Sequence, residues 1–304
     1  MNDLHWLTIK QASKAIQAKE LSPVEYTQAL ISRTEQLDPK LNAYIKFTPE
    51  RAISDAKRAE DLISKNKSLG TLTGIPYGLK DIIDVVGFET TAHSKILIDN
   101  MPRKNAYVSD KLDSSGGILM GKLALHEFAI GGPAFDLPFP PARNPWNINH
   151  HPGGSSSGSG SAVASGMIPA ALGTDTGGSV RNPATSCGIV GMKATYGRVS
   201  KAGVVPLSFS LDHVGPMTRT VEDNAILLNA IAGYDNNDPS TEKNQKLPDF
   251  TEFLQKGVKG LRIGLIRHFY TTDLKSDDEM CKAIDNAADT FKKLGAIQPL
   301  IHSA

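Results

Sequence analysis

Apolar residues recur at helical spacing through the N-terminal part of the chain. Tyr26, Leu30 and Ile31 form one stripe, which follows the segment SPVE at residues 22–25. This segment has the form of a capping box with proline at the first helical position. A second stripe, of three alanines and Leu62, occupies residues 50–65. The spacing predicts two amphipathic helices.

From residue 75 onward, short apolar runs alternate with helical patterns. The runs predict strands at residues 75–83, 118–120, 261–266 and 297–301. Helical spacing predicts helices at residues 106–115 and 279–294, and the polar run DNNDPS predicts a surface loop at residues 235–240. Alternation of this kind is typical of an α/β fold.

Composition and charge narrow the class of protein. The chain has 304 residues, of which 40% are hydrophobic, so it can bury a large core in one or two domains. Its 33 basic and 32 acidic residues give a net charge of +1, which predicts no dedicated nucleic-acid surface. No apolar run approaches the length of a membrane span, and the N-terminus lacks the features of a signal peptide. We therefore expect a cytoplasmic protein with neither a membrane nor a direct nucleic-acid partner.

The cysteines and histidines predict no metal site. Cys187 and Cys281 are too few for a disulfide framework or a zinc site, and the small, apolar neighbours of Cys187 predict a buried thiol. The pair His150 and His151 has no third ligand nearby in the sequence. We therefore expect neither a metal ion nor an organic cofactor.

Two segments rich in glycine and serine carry the candidate chemistry. They are GGSSSGSGS at residues 153–161 and GTDTGGSVR at residues 173–181. Glycines let backbone N–H groups converge on one point, and a serine within such a nest could attack a carbonyl whose oxyanion the nest then holds. The composition of the first segment also fits a flexible linker. Apolar residues follow it directly, however, which favours an ordered loop beside the core.

A serine nucleophile needs a base, and the histidines offer a poor one. His213 follows Asp212, but adjacent residues in a strand point to opposite faces, so Asp212 could not easily orient it. Lys80 lies among apolar residues of the predicted strand at residues 75–83, and burial would favour its neutral amine. From this strand alone, an ion pair between Lys80 and a nearby carboxylate is the simpler interpretation.

Several separated motifs, taken together and in order, resemble those of the amidase signature family. They are GIPYGLKD at residues 74–81, RNPW at 143–146, the two glycine-serine segments, CGIVGMK at 187–193 and SLDHVGP at 210–216. The interval between Ser155 and Ser179 is the one that the family keeps between its bridging serine and its nucleophile. The resemblance extends from about residue 21 to about residue 235 and is weaker beyond.

The resemblance implies a catalytic triad. Ser179 would be the nucleophile, Lys80 the general base as a neutral amine, and Ser155 the bridging serine that relays the proton. It also implies a cis peptide bond between Gly154 and Ser155.

The resemblance further implies groups that bind the substrate or support the loop. Oxyanion and substrate contacts are implied at Thr176, Gly177, Gly178, Ser156 and Gly131, together with the Ser179 N–H. Asp175 and Arg181 would pin the loop through charge-assisted hydrogen bonds.

The family also implies an architecture. This is an α/β fold with one large, twisted, mixed sheet that helices cover on both faces. Residues 1–70 would form N-terminal helices, residues 71–235 the catalytic core, and residues 236–304 the start of a C-terminal part. Family members generally continue further, so we expect the chain to be incomplete at its C-terminus.

The implied activity is hydrolysis of a small-molecule carboxylic amide to an acid and ammonia or an amine, through an acyl-enzyme. A homodimer is compatible with this interpretation. One alternative is the glutaminase (A) subunit of glutamyl-tRNA(Gln)/aspartyl-tRNA(Asn) amidotransferase, which belongs to the same family. The segment ALHEFAIGGP at residues 124–133 departs from the NMDEFAMGSS type of that protein, which favours a stand-alone amidase. A second alternative is a truncated, non-catalytic remnant.

Overall fold

The computed structural model describes residues 3–244 and 246–297, and the chain divides into two compact units, Met1–Phe250 and Thr251–Ala304. The helices of the first unit are α1 (Ile9–Gln17), α2 (Pro23–Leu41), α3 (Pro49–Ser64), α4 (Tyr107–Ser114), α5 (Ser157–Ala164), α6 (Arg181–Cys187) and α7 (Val221–Ile231). Its strands are β1 (Tyr44–Phe47), β2 (Pro76–Lys80), β3 (Ile118–Leu123), β4 (Ala170–Asp175), β5 (Val190–Gly191) and β6 (His213–Thr218). The predicted helices at residues 50–65 and 106–115 and the predicted strand at residues 118–120 are confirmed.

The strands form one mixed sheet in the order β1-β3-β2-β4-β6-β5. The central strand β2 runs parallel to both β3 and β4, whereas β1, β5 and β6 pair antiparallel with their neighbours. Because parallel strands end at the same edge of a sheet, Lys80 at the end of β2 and Asp175 at the end of β4 lie at that edge. The sheet therefore delivers the candidate base and the candidate loop to one place.

The core forms around the three central strands. Every residue of β2, β3 and β4 is buried. Successive side chains of a strand point to opposite faces, so complete burial requires cover on both faces of the sheet. Helices α3, α5 and α7 pack on β3, β4 and β6, respectively. The expected α/β sheet covered by helices is therefore confirmed.

The capping box lies one helix earlier than the sequence pattern predicted. Thr8 and Gln11 form the reciprocal pair at the start of α1, where the Thr8 hydroxyl accepts the Gln11 N–H and the Gln11 side chain accepts the Thr8 N–H. At α2, the Ser22 hydroxyl accepts the N–H groups of Val24 and Glu25 but donates its own proton to Glu60. Ser22 is thus an ordinary N-cap, and it also links α2 to α3.

The first glycine-serine segment forms a turn that leads into the buried helix α5, so the predictions of a loop or a flexible linker are wrong for most of it. The absence of large side chains lets α5 pack unusually close to its neighbours. A Cβ atom on Gly158 would lie 2.3 Å from the Ala43 carbonyl oxygen and 2.4 Å from the Ala124 nitrogen. The Ser159 and Ser161 hydroxyls donate to the carbonyls of Leu172 and Arg143, at 3.2 and 2.8 Å. These hydrogen bonds satisfy polar groups inside the core.

The second unit contains helix α8 (Asp278–Lys293), which confirms the helix predicted at residues 279–294. The described part of the segment predicted as a strand at residues 261–266 contains two bridge positions, Arg262, which pairs in parallel with Ile297, and Leu265. The strand predicted at residues 297–301 lies outside the described residues beyond Ile297. Within the described part of the chain, no helix is long and apolar enough to cross a bilayer.

Candidate active site

Lys80 ends β2 as a fully buried side chain. Its Nζ lies 2.8 Å from Ser155 Oγ and 2.8 Å from Thr174 Oγ1. Across residues 3–244 and 246–297, no carboxylate forms an ion pair with Lys80. The simpler interpretation of Lys80 as one half of an ion pair is therefore wrong, and two hydroxyls take the place of the carboxylate.

The surroundings of Lys80 favour its neutral amine. Burial lowers the pKa of Lys80 from 10.5 to about 7, and the carboxylates of Asp212 and Asp175 oppose this shift only in part. A large fraction of Lys80 is consequently unprotonated near neutral pH. A neutral amine has a lone pair, which can accept the Ser155 hydroxyl proton across the 2.8 Å contact.

Ser155 lies two residues before α5 and is almost fully buried. The peptide bond between Gly154 and Ser155 is cis, as the resemblance implied. The Ser155 carbonyl accepts the His126 N–H at 3.0 Å. The backbone of Ser155 is thus held from one side while its hydroxyl meets Lys80 on the other.

Ser179 lies in the loop between β4 and α6 and is partly exposed. Its carbonyl accepts the Ser156 N–H at 3.2 Å, so Ser179 lies beside the residue that follows Ser155. Its hydroxyl makes no hydrogen bond with any residue that the structure describes. The structure therefore brings Lys80 and Ser155 into contact and leaves the Ser179 hydroxyl free to approach a substrate.

The Asp175 carboxylate organises the loop that carries Ser179. It accepts the backbone N–H groups of Gly178 at 2.9 Å and Val180 at 3.2 Å, and the Arg181 guanidinium at 2.9 and 3.0 Å. Burial raises the pKa of Asp175, but the hydrogen bonds from Arg181 and the backbone outweigh it and hold the pKa below the ordinary value. These contacts are those expected of a structural support.

The loop geometry narrows the set of oxyanion donors. Because the Gly178 N–H already donates to Asp175, it is not free to bind a substrate oxygen. The N–H groups of Thr176, Gly177 and Ser179 have no acceptor within the described chain. A developing oxyanion beside Ser179 could therefore be met by donors from this set.

Asp212 and His213, which the sequence analysis weighed only as a catalytic base and its partner, hold the same loop. The Thr176 hydroxyl donates to Asp212 at 2.5 Å, and Asp212 also accepts the N–H groups of Leu207 and Ser208. His213 Nδ1 lies 3.2 Å from the Asp175 carbonyl oxygen. Asp212 and His213 thus have different partners, as strand alternation predicts, yet both anchor the loop.

The two other predicted substrate contacts have partners of their own. The Ser156 hydroxyl donates to the Thr174 carbonyl and accepts the Thr174 N–H, both at 3.2 Å, so it supports the end of β4. Gly131 is exposed, and its carbonyl oxygen lies 3.1 Å from His126 Nδ1. Thr174 and His126 had no sequence signal that set them apart from their neighbours.

No group of three or more histidine, cysteine or acidic side chains in the described residues is arranged to hold a metal ion. Cys187 is buried as predicted, and burial raises the pKa of its thiol to about 12. Such a thiol carries almost no thiolate at neutral pH and is a poor metal ligand or nucleophile.

Comparison with known proteins identifies the family of this chain. A family model described as Amidase matches residues 25–299. The A subunit of glutamyl-tRNA(Gln) amidotransferase from Geobacter metallireducens is 46% identical over 97% of this chain and 60% of that protein. The peptide amidase of Stenotrophomonas maltophilia superposes with a TM-score of 0.89 and 35% identity, over 98% of this chain and 62% of that one.

The corresponding amidotransferase protein from Thermotoga maritima superposes with a TM-score of 0.84 and 35% identity, over 99% of this chain and 62% of that chain. The chain thus spans about three fifths of the length of the relatives that it matches.

Proposed function

Because this chain belongs to the Amidase family, we propose that it hydrolyses a carboxylic amide through an acyl-enzyme on Ser179. One observation carries the proposal. A fully buried lysine with a pKa lowered to about 7 lies 2.8 Å from a serine hydroxyl, with no carboxylate paired to it in the described residues. Such a lysine is equipped to take a proton at neutral pH.

The reaction follows from the order of the groups. Ser179 Oγ attacks the amide carbon as its proton passes to Ser155 and the Ser155 proton passes to Lys80. The carbonyl oxygen becomes an oxyanion that is met by donors from the N–H groups of Thr176, Gly177 and Ser179. The proton then returns through Ser155 to the leaving nitrogen, and the C–N bond breaks. Water attacks the acyl-enzyme by the same relay and releases the acid.

The burial of Lys80 also argues against a non-catalytic remnant. A lysine removed from water without a counter-ion lowers the stability of the fold, because its charged form loses hydration that no carboxylate replaces. A protein that served only as scaffold would gain from an apolar residue at this position. Retention of the lysine beside Ser155 is therefore better explained by a chemical role.

A fluorophosphonate probe tests the proposal. We expect the probe to label Ser179, because an activated serine reacts with this electrophile. The folded protein is labelled, and peptide mapping then identifies the modified serine. Ser179→Ala should abolish it, whereas Ser64→Ala, at an exposed serine that ends α3, should leave it unchanged. Label on another serine, or none on folded protein, overturns the assignment.

Amide hydrolysis at Ser179 is common to two candidate functions, which differ in substrate and partners. The sequence departure at residues 124–133 favours a stand-alone amidase acting on a small amide. The 46% identity to a protein of the amidotransferase favours the second candidate, a glutaminase that releases ammonia for a partner protein. The relatives therefore support the glutaminase candidate more strongly than the sequence motif predicted.

Substrate comparison separates the two candidates. For a stand-alone amidase we expect ammonia or amine release from simple aliphatic and aryl amides, with glutamine no better than these. The measurement is product release from each amide, with Ser179→Ala as the blank. Turnover of glutamine alone would select the second candidate and require the partner proteins in the assay.

A further inference from the structure

We propose that His126 is a positioning residue that ties the proline-rich segment at residues 130–141 to the bridging serine, through the proton on its Nδ1. The inference rests on the proposed function, because it concerns the reactivity of Ser179 through Ser155. Three contacts of His126 support it, and none of them was predicted from the sequence.

His126 contacts both structures at once. Its backbone N–H donates to the Ser155 carbonyl at 3.0 Å, and its Nδ1 lies 3.1 Å from the Gly131 carbonyl oxygen. Its ring fills the space beside Gly154, where a Cβ atom would lie only 2.1 Å from the ring. The residue thus touches the peptide that carries Ser155 and the first glycine of the proline-rich segment.

The contact with Gly131 fixes which nitrogen of His126 carries the proton. A carbonyl oxygen can only accept, so Nδ1 must be the donor. Burial lowers the pKa of His126, although the hydrogen bond to Gly131 opposes this shift. The ring therefore acts as a neutral donor from Nδ1 near neutral pH.

A second histidine holds the other end of the same segment. His93 Nε2 lies 2.8 Å from the Phe139 carbonyl oxygen, and the two rings meet edge to face at 5.6 Å. The Leu125 N–H in turn points to His93 Nδ1 at 3.4 Å, one residue before His126. Both attachment points of the segment thus lead back to the backbone that contacts Ser155.

The backbone beside these histidines is unusual in the same way at both places. Ala92 and His93 have φ values of 52° and 58°, and Phe128 and Ala129 have values of 47° and 63°. Residues other than glycine seldom adopt the left-handed region, and they do so where the surroundings enforce it, commonly at functional sites. The two pairs meet where the Phe128 N–H donates to the Ala92 carbonyl at 3.0 Å.

These contacts form a short mechanical connection. The proline-rich segment is mostly exposed, and its Phe135 is 81% exposed. If His126 loses its Nδ1 donor, Gly131 is released, and residue 126 is no longer held in place beside the Ser155 peptide. The Ser155 hydroxyl is then less well fixed against Lys80, so proton transfer from Ser179 slows.

Paired amide substitutions test the donor. The amide N–H of asparagine in His126→Asn can occupy the position of Nδ1, whereas that of glutamine in His126→Gln reaches the position of Nε2. The readout is the second-order rate of Ser179 modification by a fluorophosphonate. We expect the rate of His126→Asn to be close to that of the unchanged protein. The rate of His126→Gln should be at least about tenfold lower.

Two controls separate position from folding. Melting temperatures of both variants should be similar, and His150→Gln, at an exposed histidine in the same region, should react at the unchanged rate. Equal rates for His126→Asn and His126→Gln, fast or slow, overturn the inference. Failure of the unchanged protein to be modified at Ser179 would instead overturn the proposed function.

Discussion

Replacement of Lys80 by alanine is expected to lower kcat for amide hydrolysis by roughly 10³-fold, the range that a positioned general base supplies. The expectation follows from the 2.8 Å contact between Lys80 Nζ and Ser155 Oγ, because no other base in the described residues reaches this hydroxyl. Steady-state kinetics on any amide that the protein turns over provide the measurement. A variant with a near-normal kcat would show that the base lies elsewhere.

The role of Lys80 as a base also predicts the direction in which the rate changes with pH. The active form is the neutral amine, and the pKa of Lys80 is lowered to about 7, so the rate should rise with pH through about 7 and then level off. Lys80→Arg should not restore activity, because arginine stays protonated at any accessible pH. A rate that falls with pH across this range would contradict the role of base.

Replacement of Lys80 should lower activity but raise the stability of the fold. The pKa of Lys80 is lower in the folded protein, about 7, than its ordinary value of 10.5. The unfolded chain therefore binds more protons between these values, so stability rises with pH across them and the full cost is present below about pH 7. Lys80→Met should raise the free energy of unfolding at pH 7, by at most about 5 kcal/mol. Denaturant titration of both proteins measures it.

Replacement of Lys122 by methionine is expected to lower the free energy of unfolding by about 3–5 kcal/mol. Lys122 Nζ and Asp81 Oδ1 form a fully buried ion pair at 2.7 Å. Lys122 also donates to the Glu89 carbonyl and the Thr90 hydroxyl, both at 3.0 Å. Methionine fills the same space but leaves the Asp81 carboxylate buried without a counter-charge. Urea titration at pH 7 tests the loss.

The matched partner of this variant is Asp81→Asn. Asparagine keeps the shape of the aspartate and removes the charge that needs Lys122. The double variant of Asp81→Asn and Lys122→Met should therefore be more stable than the sum of the two single losses indicates. Strict additivity, or a Lys122→Met loss near zero, would show that the pair contributes little.

The elements that the sequence predicted well are those whose pattern is set by local spacing. The helix stripe at residues 50–65 and the apolar run at residues 118–120 both appear where predicted, because burial of one face or both faces dictates the period. Helix α5 could not be predicted in this way. Its serines and glycines carry no apolar period, and its position in the core depends on close contact with backbone that is distant in the sequence.

The residues of the site also differ in whether local sequence can predict them. Lys80, Ser155 and Ser179 could be proposed from motifs, because each lies in a short segment with a distinctive composition. Thr174 and Asp212 could not, because their contacts with Lys80 and Thr176 exist only where β4 pairs with β2 on one side and with β6 on the other. A hydroxyl beside Lys80 or a carboxylate beside Thr176 leaves no trace in local sequence.

The close approach of α5 to its neighbours also limits how this region can change over evolutionary time. With backbone atoms 2.3 and 2.4 Å from any Cβ at position 158, even the smallest side chain requires the surrounding chain to move. Residue 158 therefore cannot be replaced by the larger residues that are typical of helices. The glycine-serine segment has the simple composition of a dispensable linker. At Gly158, however, it tolerates substitution less well than most of the protein.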